Sequence, residues 1–246
     1  MGRAHEVRKN AMEKTSKQKS KLYSKFGKEI YMAAKNGGPD LDANLELKRL
    51  VDRAKQNQVP AHVIEKNIEK SQTVGGEDYF PVRYEGYGPG GSTIIVEGIS
   101  DNVNRTVSEV RNCFTKTGGN MGVQGSVTYM YQYVSYIQFS GLSEDETLEA
   151  LMMAEVDALD IQSDEDVITV IGESSALDDI KDTITKAGKE AEKELEFFKD
   201  DVIWMPNNYI SLDDENLDRF KRFLELAEDV EDVQEVYHNV KFEEEE

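Results

Sequence analysis

Apolar side chains in the first third of the chain recur at the helical period. In KLYSKFGKEIYMAAKNGG, Leu22, Phe26, Ile30 and Ala33 fall on one face, and Gly37 and Gly38 supply a stop. The same spacing at Leu47, Leu50, Val51 and Ala54 predicts a second helix from about residue 42 to 57. Pro60 then opens a short third helix carrying Ile64 and Ile68. Upstream of Leu22 the only sizeable apolar side chains are Met1, Val7 and Met12, too few to fix a helix by burial. Residues 1–20 are therefore expected to be mobile in the free protein.

After the linker-like SQTVGGEDY the period changes. TIIVEGI (93–99) predicts a strand, followed by a helix with Val103, Val107, Val110 and Phe114 on one face and Gly118 and Gly119 at its end. SVTYMYQ (126–132) predicts another strand. A second set follows: strand 133–139, helix 143–155, strand 159–162, strand 166–172, helix 175–187 and strand 194–205. That β-α-β-β-α-β order is the ferredoxin-like split unit. Helix 213–228 and strand 233–240 lack a partner of their own and are expected to return to the incomplete sheet of residues 80–132. The expected fold is α+β: a helical domain at 1–75, a discontinuous middle α/β domain at 80–132 plus 205–240, and a ferredoxin-like α/β domain at 133–204.

Composition narrows the function classes. The 246 residues leave room for two or three small domains, and 38% hydrophobic with 32% charged residues describe a globular chain with a very polar surface. No stretch approaches the roughly 18 apolar residues that span a bilayer, and MGRAHEVRKNAMEK has no apolar core of the signal-peptide kind, so a cytoplasmic protein is expected. Cys113, the single cysteine, reads as a helix position in VRNCFTK. The net charge of −20 would argue against nucleic acid if it were evenly spread. It is not: residues 1–75 carry sixteen Lys or Arg against nine Asp or Glu, a net of +7, and the remainder carries −27. A polyanion would be drawn to one end of the molecule and repelled by the other.

Enzymatic signatures are missing from the sequence. His5, His62 and His238 lie in three separate segments, with no HExxH, Cys pair or G-x-S-x-G, so a non-enzyme without cofactor or metal is expected. YEGYGPGGS spaces Gly86, Gly88 and Gly91 as a dinucleotide-binding loop would, but the glycines lead into a strand rather than a helix, and Pro89 interrupts them. Two readings stay open for this segment. One is a hairpin or wide turn between two strands. The other is an exposed loop in which Tyr84 and Tyr87 stack on bases while the backbone amides of Gly88, Gly90 and Gly91 approach phosphate.

Basic residues give the clearest binding signal. Lys14, Lys17, Lys21, Lys25 and Lys28, spaced 3, 4, 4 and 3, form one ridge of a continuous helix, about a quarter turn from the row Leu22, Phe26 and Ile30. The ammonium groups are expected to face outward, with Arg3, Arg8 and Lys9 adding to the same positive end. A second candidate cluster is Asn102, Asn104, Arg105 and Arg111 in DNVNRTVSEVRN, at the start and exposed face of the helix, where helix capping explains much of the polarity and contact with a partner is the other reading.

Several segments resemble the YebC/PmpR family, which includes the mitochondrial translational activator of cytochrome c oxidase subunit I. They are KLYSKFGKEIYMAAKNGGPDLDAN, LVDRAKQNQVP with VIEKNIEK, RYEGYGPGG, DNVNRTVSEVRNCFTKTGGNMG with GSVTYM, and VEDVQEVYHNV, in order over nearly the whole chain. The resemblance implies three domains with the C-terminus rejoining the middle one. Many members carry a Trp shortly after the initial Gly, where this chain reads GRAHEVRK, so no stacking role passes to His5. The resemblance also implies a regulator of gene expression. One form is a DNA-binding transcriptional regulator, the other a translation factor that relieves ribosomes stalled on proline-rich sequences.

No helix-turn-helix, zinc finger or zipper is recognisable. A body of −27 would be repelled by duplex DNA along most of its surface, whereas a thin basic arm can thread between rRNA helices. Ribosomal RNA, on the ribosome, is therefore the favoured partner, duplex DNA the alternative, and a protein-interaction module the third reading. Without a sustained heptad repeat a monomer is expected.

Overall fold

The computed structural model describes residues 2–73 and 78–242, with side chains from residue 19 onward. Three helices come first: α1 (Gly2–Gly37), α2 (Leu45–Gln56) and α3 (Ala61–Ser71). Phe26, Ile30, Ala33 and Ala34 of α1 pack against Leu47, Val51 and Ala54 of α2 and Ile64 of α3, as the apolar spacing requires. The turn between α1 and α2 is closed by Asn44. Its side chain accepts from Leu47 N at 3.0 Å, capping α2, and donates to the carbonyls of Ala33 and Gly38 at 2.9 Å. That cap starts α2 three residues later than its spacing suggests. Helix α1 runs back to Gly2 at the level of the backbone.

The middle sheet contains β1 (Phe80–Tyr87), β2 (Thr93–Ser100), β3 (Asn120–Met121) and β8 (Val233–His238), in the order β3-β1-β2-β8, all antiparallel. Helices α4 (Val103–Lys116) and α7 (Asp214–Asp229) cover one face through Phe114, Phe220 and Phe223 against Ile94 and Val96. The C-terminus thus completes the middle sheet, as expected. Strand β2 is buried on both faces, because Ile95 points the other way, into Val127 and Tyr131. This explains why TIIV runs without polar alternation.

The second sheet holds β4 (Tyr131–Ser140), β5 (Asp160–Asp164), β6 (Val167–Glu173) and β7 (Glu196–Pro206), in the order β5-β6-β4-β7. With α5 (Glu144–Met153) and α6 (Leu177–Glu190) this is the ferredoxin-like arrangement. Its core gathers Ile137, Phe139, Leu151, Ile168, Val170, Ile180 and Ile184. The two sheets are tied by Glu97, which accepts from Arg83 Nε at 2.9 Å and from Trp204 Nε1 at 3.0 Å, and by Tyr131, whose hydroxyl donates to Thr93 O at 2.8 Å.

Residues 126–132 correct one expectation. Only Tyr131 and Gln132 are strand, as the start of β4, and Thr128–Met130 form a 3₁₀ turn instead. The reason is Glu85, a buried carboxylate on β1. It accepts from the amides of Gly125 (2.9 Å), Val127 (2.9 Å) and Thr128 (3.0 Å), which a ladder would otherwise use. Burial opposes its charge, but these amides and the Thr128 hydroxyl overcome it and hold the carboxyl below its ordinary pKa.

Candidate nucleic-acid interface

The lysine ridge on α1 divides in two. Side chains of Arg3, Arg8, Lys9, Lys14 and Lys17 lie outside the described residues. Lys21, Lys25 and Lys28 are turned toward the C-terminal segment, which corrects the expectation that the ridge faces outward. Lys21 pairs with Asp229 at the end of α7. Lys25 Nζ donates to Gln234 O at 2.7 Å, and Lys28 Nζ donates to Asp232 Oδ1 at 2.8 Å and to Glu231 O at 3.3 Å. A quarter turn from the apolar row is therefore a second packing face, met by a segment more than 200 positions away in the chain.

Asp232 is the centre of that junction. Its side chain is fully buried, and Oδ2 accepts from Ser100 Oγ (3.2 Å), Thr106 Oγ1 (2.6 Å) and Arg105 Nη2 (2.6 Å). Burial disfavours its charge, yet the hydrogen bonds from Lys28, Thr106 and Arg105 win and hold its pKa at about 2. Arg105 also pairs with Asp101 at 2.7 Å, so its partly exposed guanidinium is engaged by two carboxylates of the chain itself, and the Asp232 and Asp101 contacts raise its pKa. Asn104 and Arg111 sit on the exposed side of α4, and Arg111 has no ion pair among the described residues. Asn102 does cap α4, accepting from Arg105 N at 3.1 Å.

The glycine segment is a hairpin turn between β1 and β2. Tyr87 faces Thr93 across it, and Gly88 N donates to Ser92 O at 2.7 Å. Gly90 and Gly91 hold φ of 65° and 78°, the left-handed region that favours glycine. A Cβ on Gly90 would stand 2.6 Å from Leu212 Cδ2, so the turn lies against the chain entering α7. The two tyrosines separate. Tyr84 packs on the core of the middle sheet with its hydroxyl buried, and burial raises its pKa, so its ring is not presented as the stacking reading requires. Tyr87 is 40% exposed, its hydroxyl donating to Ser126 O at 3.0 Å.

Two family models together cover the chain: the TACO1/YebC protein N-terminal domain at residues 3–74 and the TACO1/YebC second and third domain at residues 79–240. The chain belongs to the TACO1/YebC family.

Its relatives in this family include two named "probable transcriptional regulatory protein". One, from Alteromonas mediterranea, is 48% identical over 97% of this chain and 98% of its own length. The other, from Pseudoalteromonas atlantica, is 47% identical over 100% and 99%. The crystal structure of a conserved hypothetical protein from Aquifex aeolicus superposes with a TM-score of 0.80 at 34% identity, covering 93% of this chain and 92% of that one.

In this TACO1/YebC chain the structure adds residues that spacing did not single out. Tyr129, 70% exposed, interacts through its side chain with Tyr87, which raises the pKa of the Tyr87 hydroxyl. Val123, 79% exposed, stands on the same loop that Glu85 clamps. No periodicity marks Tyr129, because it is displayed by a 3₁₀ turn created by a side-chain carboxylate. Among the described residues no helix is long and apolar enough to cross a membrane, and no group of His, Cys, Asp or Glu is placed to hold a metal ion.

Proposed function

We propose that this protein is a nucleic-acid-binding regulator of gene expression acting on the ribosome, with ribosomal RNA as its target and relief of stalls on proline-rich sequences as its task. The observation that carries the reading is the division of positive charge along α1. Lys21, Lys25 and Lys28 are engaged with the C-terminal segment. What is left on that helix is the basic first half, where residues 1–20 hold six Lys or Arg against two Glu. A helix of that length adds about 1.5 Å per residue beyond the core that starts at Leu22, giving a narrow basic rod on an acidic body. Such a rod suits a crevice between RNA helices better than the broad face of a duplex, which would meet the −27 body. In this reading Arg3, Arg8, Lys9, Lys14 and Lys17 make the electrostatic contact, and Tyr87, Tyr129, Asn104 and Arg111 offer further contacts.

A transcriptional regulator on duplex DNA is the second reading, favoured by the names of the relatives. Cosedimentation with ribosomes in sucrose gradients, set beside gel shifts on promoter DNA at physiological salt, separates the two. Ribosome binding without duplex binding is the expected result; the reverse pattern would replace rRNA by DNA.

A further inference from the structure

A surface far from the basic helix in sequence carries a different kind of binding signal. Helix α5 buries Leu151 in the core of the ferredoxin-like unit, yet Leu148 and Met152 are 47% and 70% exposed. Glu144, Leu148 and the adjacent pair Leu151 and Met152 are spaced at three- to four-residue steps, so they form a single stripe along the helix, with Glu155 just beyond its C-terminal end. That stripe makes one wall of a groove of about 610 Å³, and the chain from Val156 to Ile161, with Leu159 55% exposed, makes the other. Leu148 and Met152, unlike Leu151, are not part of that core. Unbranched methionine adapts its shape to an incoming apolar surface, and contiguous exposed apolar groups of this kind mark contact sites.

Charge specifies the occupant. Residues 144–161 contain seven Asp or Glu and no Lys or Arg, and four of those carboxylates, Glu144, Glu155, Asp157 and Asp160, line the groove itself. An anionic rim around an apolar floor repels nucleic acid and acidic proteins and attracts a segment that is cationic outside and apolar inside. One open helix stripe facing a second wall is the shape into which the ridge of another helix fits. We propose that this groove seats a basic amphipathic helix of a partner protein. It is a protein-docking surface, separate from the nucleic-acid contact on α1.

The full chain can be titrated with a defined probe, an 18-residue helical peptide of leucine and lysine with the leucines at helical spacing. Two controls accompany it: a scrambled peptide of the same composition, and the double variant Leu148→Ser/Met152→Ser, whose side chains are outside the core and which circular dichroism should show folded. The expected result is binding at least tenfold weaker for the scrambled peptide and for the double variant, with amide-exchange protection gained over residues 144–161. Equal binding of both peptides, or of both proteins, would reduce the interaction to ion exchange on an acidic surface and overturn the proposal. Sedimentation of the chain alone provides the remaining check. A dimer that the double variant abolishes would make a second copy the occupant and likewise overturn it.

Discussion

Nζ of Lys28 on α1 lies 2.8 Å from Oδ1 of Asp232, just ahead of β8, and both side chains are almost fully withdrawn from water. This pair joins the helical region to the middle sheet. Breaking a buried pair on one side strands the other charge, which costs about 3–5 kcal/mol. Asp232→Ala should therefore destabilise the protein by an amount of that order in urea unfolding and expose α1 to amide exchange. Lys28→Met should cost less, since Arg105 and Thr106 remain on the carboxylate. The pH dependence follows from a pKa held at about 2. Asp232 contributes its full stability above the ordinary carboxylate range, near 4, and loses it as pH falls toward 2. Acid unfolding of Asp232→Asn should lack that component.

Glu29, on the same helix, has the opposite sign. Burial, the largest cause, with Asp201 and Glu235 nearby, pushes its pKa up to about 7, against Arg53 and Lys25, which pull it down. A carboxyl with a raised folded-state pKa binds its proton more tightly folded than unfolded. Its contribution is thus full below about 4.5 and is lost as pH rises through about 7. Glu29→Gln should flatten the stability profile between those limits and raise the melting temperature at pH 8. An unchanged profile would mean that Glu29 titrates normally.

The basic first half of α1 predicts a specific salt dependence. Changing Arg8, Lys9, Lys14 and Lys17 together to Gln should lower the magnitude of the slope of log K against log salt for RNA or ribosome binding by about 3, at roughly 0.7 per lost contact. Circular dichroism and melting temperature should stay close to wild type. Lys21→Gln and Lys25→Gln should instead change stability, since both side chains reach the C-terminal segment. Identical salt slopes for wild type and the fourfold variant would remove the arm from the interface.

Tyr87 is the testable member of the hairpin pair. Tyr87→Ala should weaken RNA or ribosome binding by about 1–3 kcal/mol, the range for loss of one stacked base, while Tyr87→Phe keeps the ring and most of the affinity. Tyr84→Ala should act on stability, because that ring packs on the core of the middle sheet. Normal binding by Tyr87→Ala would leave the segment as a turn alone.

Much of this molecule is written in local spacing. The row Leu22, Phe26, Ile30 and Ala33 dictates the packed face of α1, and the alternation of strand and helix periods from Tyr133 to Met205 dictates the ferredoxin-like unit, because each element buries its own apolar side. The lone helix and strand after residue 213 had to return to the middle sheet for the same reason. Charge asymmetry, too, is a property of composition along the chain and singled out the basic end.

Which lysines meet the C-terminal segment was decided only by tertiary structure. Lys14 to Lys28 are equivalent in spacing, yet Lys21, Lys25 and Lys28 meet Asp229, Gln234 and Asp232 across more than 200 residues. Likewise, SVTYMYQ has strand composition, but the Glu85 carboxylate takes its amides and bends it into the turn that displays Tyr129. Periodicity records which side of an element is apolar. It holds no record of a polar partner distant in sequence, and a buried charge or amide takes its place from that partner.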